Sequence, residues 1–112
     1  MKLLHYKDVK EKPADEGASK LQVRWLITKE MGANNFAMRL FEMERGGNSP
    51  LHQHSHEHEV YILEGEGVVA DGEQERKFKP GDAIFIPPNE RHQFKNTGRK
   101  TVKFLCLVPY MK

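Results

Sequence analysis

An all-β fold follows from two features of this sequence. Short runs in which apolar and polar residues alternate recur along the chain, and turn-forming residues interrupt them roughly every ten positions. No window sustains apolar recurrence at every third and fourth residue, so neither long helices nor the helix–strand alternation of a parallel sheet is expected. Many short strands punctuated in this way make a sandwich or a barrel. A chain of 112 residues is long enough for one core and too short for two.

The elements follow in order. A first segment, Leu3 to Val9, precedes a polar stretch from Lys10 to Lys20 that contains Pro13 and Gly17 and reads as a loop. Leu21, Val23, Trp25 and Ile27 alternate with Gln22, Arg24 and Thr28, the pattern of a half-buried strand. Gly32-Ala33-Asn34-Asn35 is a turn and Phe36 to Glu44 the next strand, after which Gly46-Gly47-Asn48-Ser49-Pro50 is expected to break the chain. From His58 to Leu63 both faces are apolar: Val60 and Ile62 share the side of His58, with Tyr61 and Leu63 opposite. Gly65-Glu66-Gly67 turns the chain into Val68 to Ala70, and Asp71-Gly72 is a hairpin signal. Pro80-Gly81-Asp82 leads to Ala83 to Ile86, which Pro87-Pro88-Asn89-Glu90 terminates. His92, Phe94 and Asn96 share one face of a further strand, and Thr101 to Val108 is the last.

Composition narrows the function. The 18 basic and 16 acidic residues are interspersed, without the basic stripe and stacking aromatics of a nucleic-acid binder. There is no apolar run of membrane-spanning length, and Met1-Lys2-Leu3-Leu4-His5 lacks the apolar centre of a secretory signal, so the expectation is a cytoplasmic protein with no membrane partner. A single cysteine, Cys106, excludes an intrachain disulfide and agrees with a reducing compartment.

The chemistry lies in the histidines. His52, His54, His56 and His58 occupy every second position, and His92 stands apart. Alternate residues of an extended chain share a face, so several imidazoles can enter one cavity, and imidazole is a ligand for transition metals. A solvated His-rich tract that picks up metal non-specifically is the bland alternative. It leaves the placement of His92 unexplained. Two spacings frame these residues: Gly46, His52, His54, His58 and Gly65 in one, and Gly81, Pro87, Asn89, His92 and Asn96 in the other.

Together these spacings resemble the two signature motifs of the cupin superfamily, over about residues 36 to 108. The resemblance implies an antiparallel jelly-roll β-barrel, the double-stranded β-helix, spanning residues 36–112, with the N-terminal strands and loop of residues 1–35 packed on it in a single domain. It implies His52, His54 and His92 as metal ligands. His58 falls where the family more often has glutamate, so the chain looks like the small single-domain cupins with four histidine ligands, several of which bind manganese. Mn2+ is therefore the expected ion, with Fe2+, Zn2+, Cu2+ and Ni2+ as alternatives. Asn89 stands where the second motif usually has glycine, a change expected to affect a turn more than the ligands.

Glu59 is the rival to His58, but it would face away from the side of Val60 and leave one residue too few before Gly65. His56, in the turn between His54 and His58, is claimed by no motif position and reads as a surface or supporting residue. His5 has no chemistry-bearing neighbour in sequence. Four neutral imidazoles would leave a divalent ion its full charge, favouring the divalent state, acidifying bound water and attracting an anionic substrate or an enolate.

Two residues outside the motifs are weaker catalytic candidates. Cys106 shares a face with Val102, Phe104 and Val108, expected to be the interior, and is either a small buried hydrophobe or a neighbour of the metal. Arg39, beside polar neighbours on the Phe36 strand, is either a strand-surface residue or the partner of a substrate carboxylate. Trp25, Phe41, Phe85, Phe94 and Phe104 read as core or cavity wall. The outer face of Tyr61, Leu63, Leu105 and Leu107 needs cover, and a homodimer is the simplest source of it. The functional expectation is a manganese- or iron-dependent oxidoreductase of dioxygenase type acting on a small oxygen-rich or aromatic molecule. The alternatives are a non-catalytic module binding metal or a small ligand, and a metal-assisted isomerase or lyase without redox change.

Overall fold

The structure, a computed structural model, describes residues 1–110. Among these residues nine strands form one curled antiparallel sheet: β1 (Lys12–Pro13), β2 (Ser19–Ile27), β3 (Phe36–Asn48), β4 (His58–Glu64), β5 (Gly67–Ala70), β6 (Glu75–Phe78), β7 (Ala83–Ile86), β8 (Gln93–Lys95) and β9 (Val102–Pro109). Their order is β6-β5-β8-β3-β9-β4-β7, with β2 also on β3 and β1 on β2. The all-β expectation holds. No helix among the described residues is long and apolar enough to cross a membrane.

Three local readings change. The Leu3–Val9 segment contains a 3₁₀ turn, Tyr6–Asp8, where His5 Nδ1 accepts the Lys7 N–H at 3.1 Å. The stretch read as a loop includes β1, which pairs Lys12 with Val23. The break expected at Gly46 is instead a continuation: β3 runs for 13 residues, through both glycines to Asn48. Its register against β2 jumps from Leu21↔Met43 to Ser19↔Asn48. Gly46 takes a φ of +78°, and a Cβ on Gly47 would stand 2.9 Å from the carbonyl oxygens of both Glu44 and Ser19. The glycine pair therefore makes a bulge that bends the strand without ending it.

The Asp71-Gly72 hairpin forms as expected. Asp71 Oδ1 accepts the backbone N–H groups of Glu73 and Gln74 at 2.8 Å each, and β6 returns along β5 from Ala70↔Glu75 to Gly67↔Phe78. Asn96, the last position of the second motif, is buried and structural. Its Nδ2 donates to the carbonyls of Met43 and Lys100, and its Oδ1 accepts the Gly98 N–H.

The core lies inside the curl. Ala37, Met43, Ile62 and Val102 have no exposed surface, and Phe104 stacks between Phe41 and Phe94 at 5.1 and 4.9 Å. Along β4, His58, Val60 and Ile62 are buried while Glu59, Tyr61 and Leu63 are exposed. Along β9, Val102, Phe104, Cys106 and Val108 are buried. Inside the sheet β8 meets β3 at Asn48↔Lys95, and beyond that pair His52 and His92 form an isolated bridge. That meeting point holds the histidines.

Candidate metal centre

His52 and His92 face each other across the bridge, each backbone N–H donating to the other's carbonyl at 3.1 and 2.9 Å. His54 is fixed from the second motif, because its carbonyl accepts the Asn89 N–H at 2.6 Å. Asn89 takes a φ of +66°, the left-handed conformation that asparagine tolerates better than most residues. Asparagine thus fills the place where the resemblance usually puts glycine, at a turn, as expected.

These contacts bring donor nitrogens of His52, His54 and His92 within 4.8 Å of one another. His58 enters from the start of β4, buried, with its ring centroid 5.1 Å from those of His54 and His92. It lies beside the group of three and outside its 4.8 Å limit. His56 stacks on His54 at 4.9 Å with an interplanar angle of 9° and is half-buried. Glu59 is exposed on the opposite side of β4, directed away from the cavity, as the strand alternation requires. His5 caps its 3₁₀ turn and stacks on Tyr6.

Burial sets the protonation of the cluster. Desolvation, reinforced by the neighbouring imidazoles, lowers His52 to about 4. Desolvation, with His92 and Arg39 adding to it, lowers His58 to about 3. His54, His56 and His92 shift down for the same leading reason. Near neutral pH all five rings are neutral, the form in which imidazole binds metal. The His92 Nδ1–H donates to the Glu90 carbonyl at 3.0 Å, which fixes the tautomer that leaves Nε2 bare. His58 Nδ1 lies 3.4 Å from Cys106 Sγ, while its Nε2 is buried with no hydrogen-bond partner. Neutral rings, a fixed tautomer and an orphaned buried nitrogen fit a divalent transition metal.

The surrounding cavity is lined by Leu21, Phe41, Phe94 and Phe104 and has a volume of about 50 Å³. Cys106 reaches it from β9 and Arg39 from β3, where the two are register partners. Arg39, read either as a strand-surface residue or as the partner of a substrate carboxylate, is on the inner face, and its Nη2 donates to Cys106 Sγ at 3.1 Å. Burial pushes the Cys106 thiol up, and Arg39 opposes the shift. Asp15 and Ser49 also line the cavity, and the sequence reading singled out neither. Asp15 sits in a stretch that resembles any solvated loop. Ser49 accepts the Phe94 N–H at 2.8 Å, a contact between segments 45 residues apart.

The profile of the cupin domain family matches residues 39–108. The "Oxalate-binding protein" of Thermotoga maritima is 34% identical over 96 residues, covering 82% of this chain and 78% of that protein. A 1-methylthio-D-xylulose 5-phosphate methylsulfurylase of Rhodospirillum rubrum is 38% identical over 71 residues, which cover 63% of this chain and 46% of that protein. The crystal structure of the polyketide cyclase RemF from Streptomyces resistomycificus superposes with a TM-score of 0.91 at 38% identity, covering 97% of this chain and 79% of that one. The matched span contains both histidine motifs and runs from β3 to β9, and the chain belongs to the cupin domain family.

Proposed function

We propose that this chain is a metal-dependent enzyme in which His52, His54, His58 and His92 hold one divalent ion, with manganese or iron as the native metal, and that it acts on a small oxygen-rich molecule. The observation that carries the proposal is the convergence of three neutral imidazoles within 4.8 Å beside a buried, unpartnered His58 Nε2. Such an ion, when bound, supplies Lewis acidity, and a redox metal also supplies an electron couple for chemistry with dioxygen. Four protein donors leave room for a chelating substrate on a metal that prefers six.

The chain's own residues do the rest. The Glu90 carbonyl orients His92, Cys106 Sγ orients His58, and Phe41, Phe94 and Phe104 keep water scarce around the rings. Oxygenation of dioxygenase type is the first reading of the reaction. A redox-neutral role is the second, favoured by the likeness to a polyketide cyclase and to an oxalate-binding protein. Affinity alone ranks copper and zinc above manganese and iron, so the metal has to be measured.

Elemental analysis of protein from its native source is expected to give one transition-metal ion per chain. Dioxygen uptake is then followed with a panel of enols, diketones, phenols and small carboxylic acids. Uptake that needs both metal and substrate supports oxygenation, whereas undiminished substrate turnover under argon supports the redox-neutral reading. Absence of stoichiometric metal overturns both.

A further inference from the structure

Arg39 is a cation on an apolar face. Along β3 the inner positions are Ala37, Arg39, Phe41 and Met43, and their register partners on β9 are Val108, Cys106, Phe104 and Val102. Seven of these eight belong to or pack against the core, and the eighth is arginine. Its guanidinium lies over the rings of Trp25 and Phe41 at 5.2 and 4.9 Å, two aromatic faces that attract the cation. Among the described residues its one hydrogen bond is to Cys106 Sγ, and Nε is buried with no acceptor. No carboxylate oxygen of a described residue lies within 4.0 Å of it. Asp15 shares the cavity but is exposed at its edge.

A half-buried guanidinium whose Nε is buried without an acceptor and which has no counter-ion is costly to keep, and its planar donor fork matches a carboxylate. Arg39 lines the same cavity as the four imidazoles, and Cys106 Sγ touches both it and the His58 ring, at 3.1 and 3.4 Å. At roughly 10–15 Å³ per water-sized occupant, a cavity of about 50 Å³ takes a ligand of only a few atoms. We infer that Arg39 is a specificity-determining anion subsite, and that the molecule bound at the centre is a small carboxylate whose charge Arg39 neutralises. The inference deepens the proposed function and rests on it for the identity of the site.

The test uses oxalate as the small dianion and oxamide as its neutral counterpart of nearly the same shape. Trp25, the single tryptophan and a ring in contact with Arg39, reports binding through its fluorescence without any need for turnover. In protein stripped of metal, oxalate is expected to bind at least tenfold more tightly than oxamide. Equal affinities overturn the subsite, a result that needs no variant. In metal-loaded protein, Arg39→Gln is expected to weaken oxalate at least tenfold while leaving oxamide affinity and metal stoichiometry unchanged, with Arg39→Lys intermediate. Unchanged oxalate affinity in Arg39→Gln at full metal content overturns the inference. Failure of the metal reading shows separately, as absence of stoichiometric metal in the unmodified protein.

Discussion

His52 and His58 are neutral because they are desolvated, and this has a consequence for stability that runs through the metal-free protein. Unfolded, each imidazole takes a proton near its ordinary value of 6.5, whereas folded His52 holds off to about 4 and His58 to about 3. Between those limits the unfolded chain binds more protons than the folded one, so acid favours unfolding. The stability is complete above pH 6.5 and is lost progressively as pH falls toward the folded values. Thermal melts of the metal-free protein between pH 7 and 5, above the carboxylate range, are expected to show a falling melting temperature. Replacing His58 by glutamine should flatten the dependence, and a melting temperature constant across that window in the unmodified protein would contradict it.

At the scale of the element, β3 is the strand on which the site depends. It pairs with β2 and β9 along its length and reaches β8 only at its far end, beyond the glycine bulge. Immediately past Asn48, Ser49 ties the chain to Phe94, next to the His52–His92 bridge. Gly47→Ala places a methyl against two backbone carbonyls and the Met43 side chain, none of which yields easily. The expected cost is about 1–3 kcal/mol, the usual range for overpacking, together with weaker metal binding because the bridge shifts. Denaturant unfolding and a metal titration measure the two effects, and a variant as stable as the original would exclude the proposed role of the bulge. The bulge also shows why a strand end was misread. Two glycines followed by Asn-Ser-Pro look the same in sequence whether the chain turns away or bends and continues. The β6 strand was similarly hard to delimit, since Glu75-Arg76-Lys77 are all exposed and do not alternate.

At the scale of the whole molecule, the outer face of β4, β7 and β9 is a second feature without cover. Tyr61, Leu63 and Phe85 are 47, 41 and 57% exposed, and Tyr61 and Phe85 with Met38, Leu105 and Leu107 border a groove of about 400 Å³. Strands apolar on both faces are ordinarily covered on both, and a twofold-related copy offers a surface of matching chemistry. We propose that two chains pair through this face. Light scattering at micromolar concentration should give twice the chain mass, and Phe85→Glu should halve it. A monomer mass for the unmodified protein would refute the pairing.

By itself the sequence determined the all-β class, most strand positions, the single core and the histidines worth watching, because alternation and turn chemistry are local properties written in neighbouring residues. Strand alternation also set Glu59 on the outer side. Only the tertiary structure decided which rings converge. His52 meets His92 through backbone hydrogen bonds across 40 residues of chain, and His58 stands beside the trio with its free nitrogen buried. It likewise decided that Arg39 faces inward, where its charge bears on the cavity. Local pattern specifies which face of a strand is apolar. Where two strands distant in sequence place their side chains together depends on curl, bulges and register, and these are set by packing of the whole sheet.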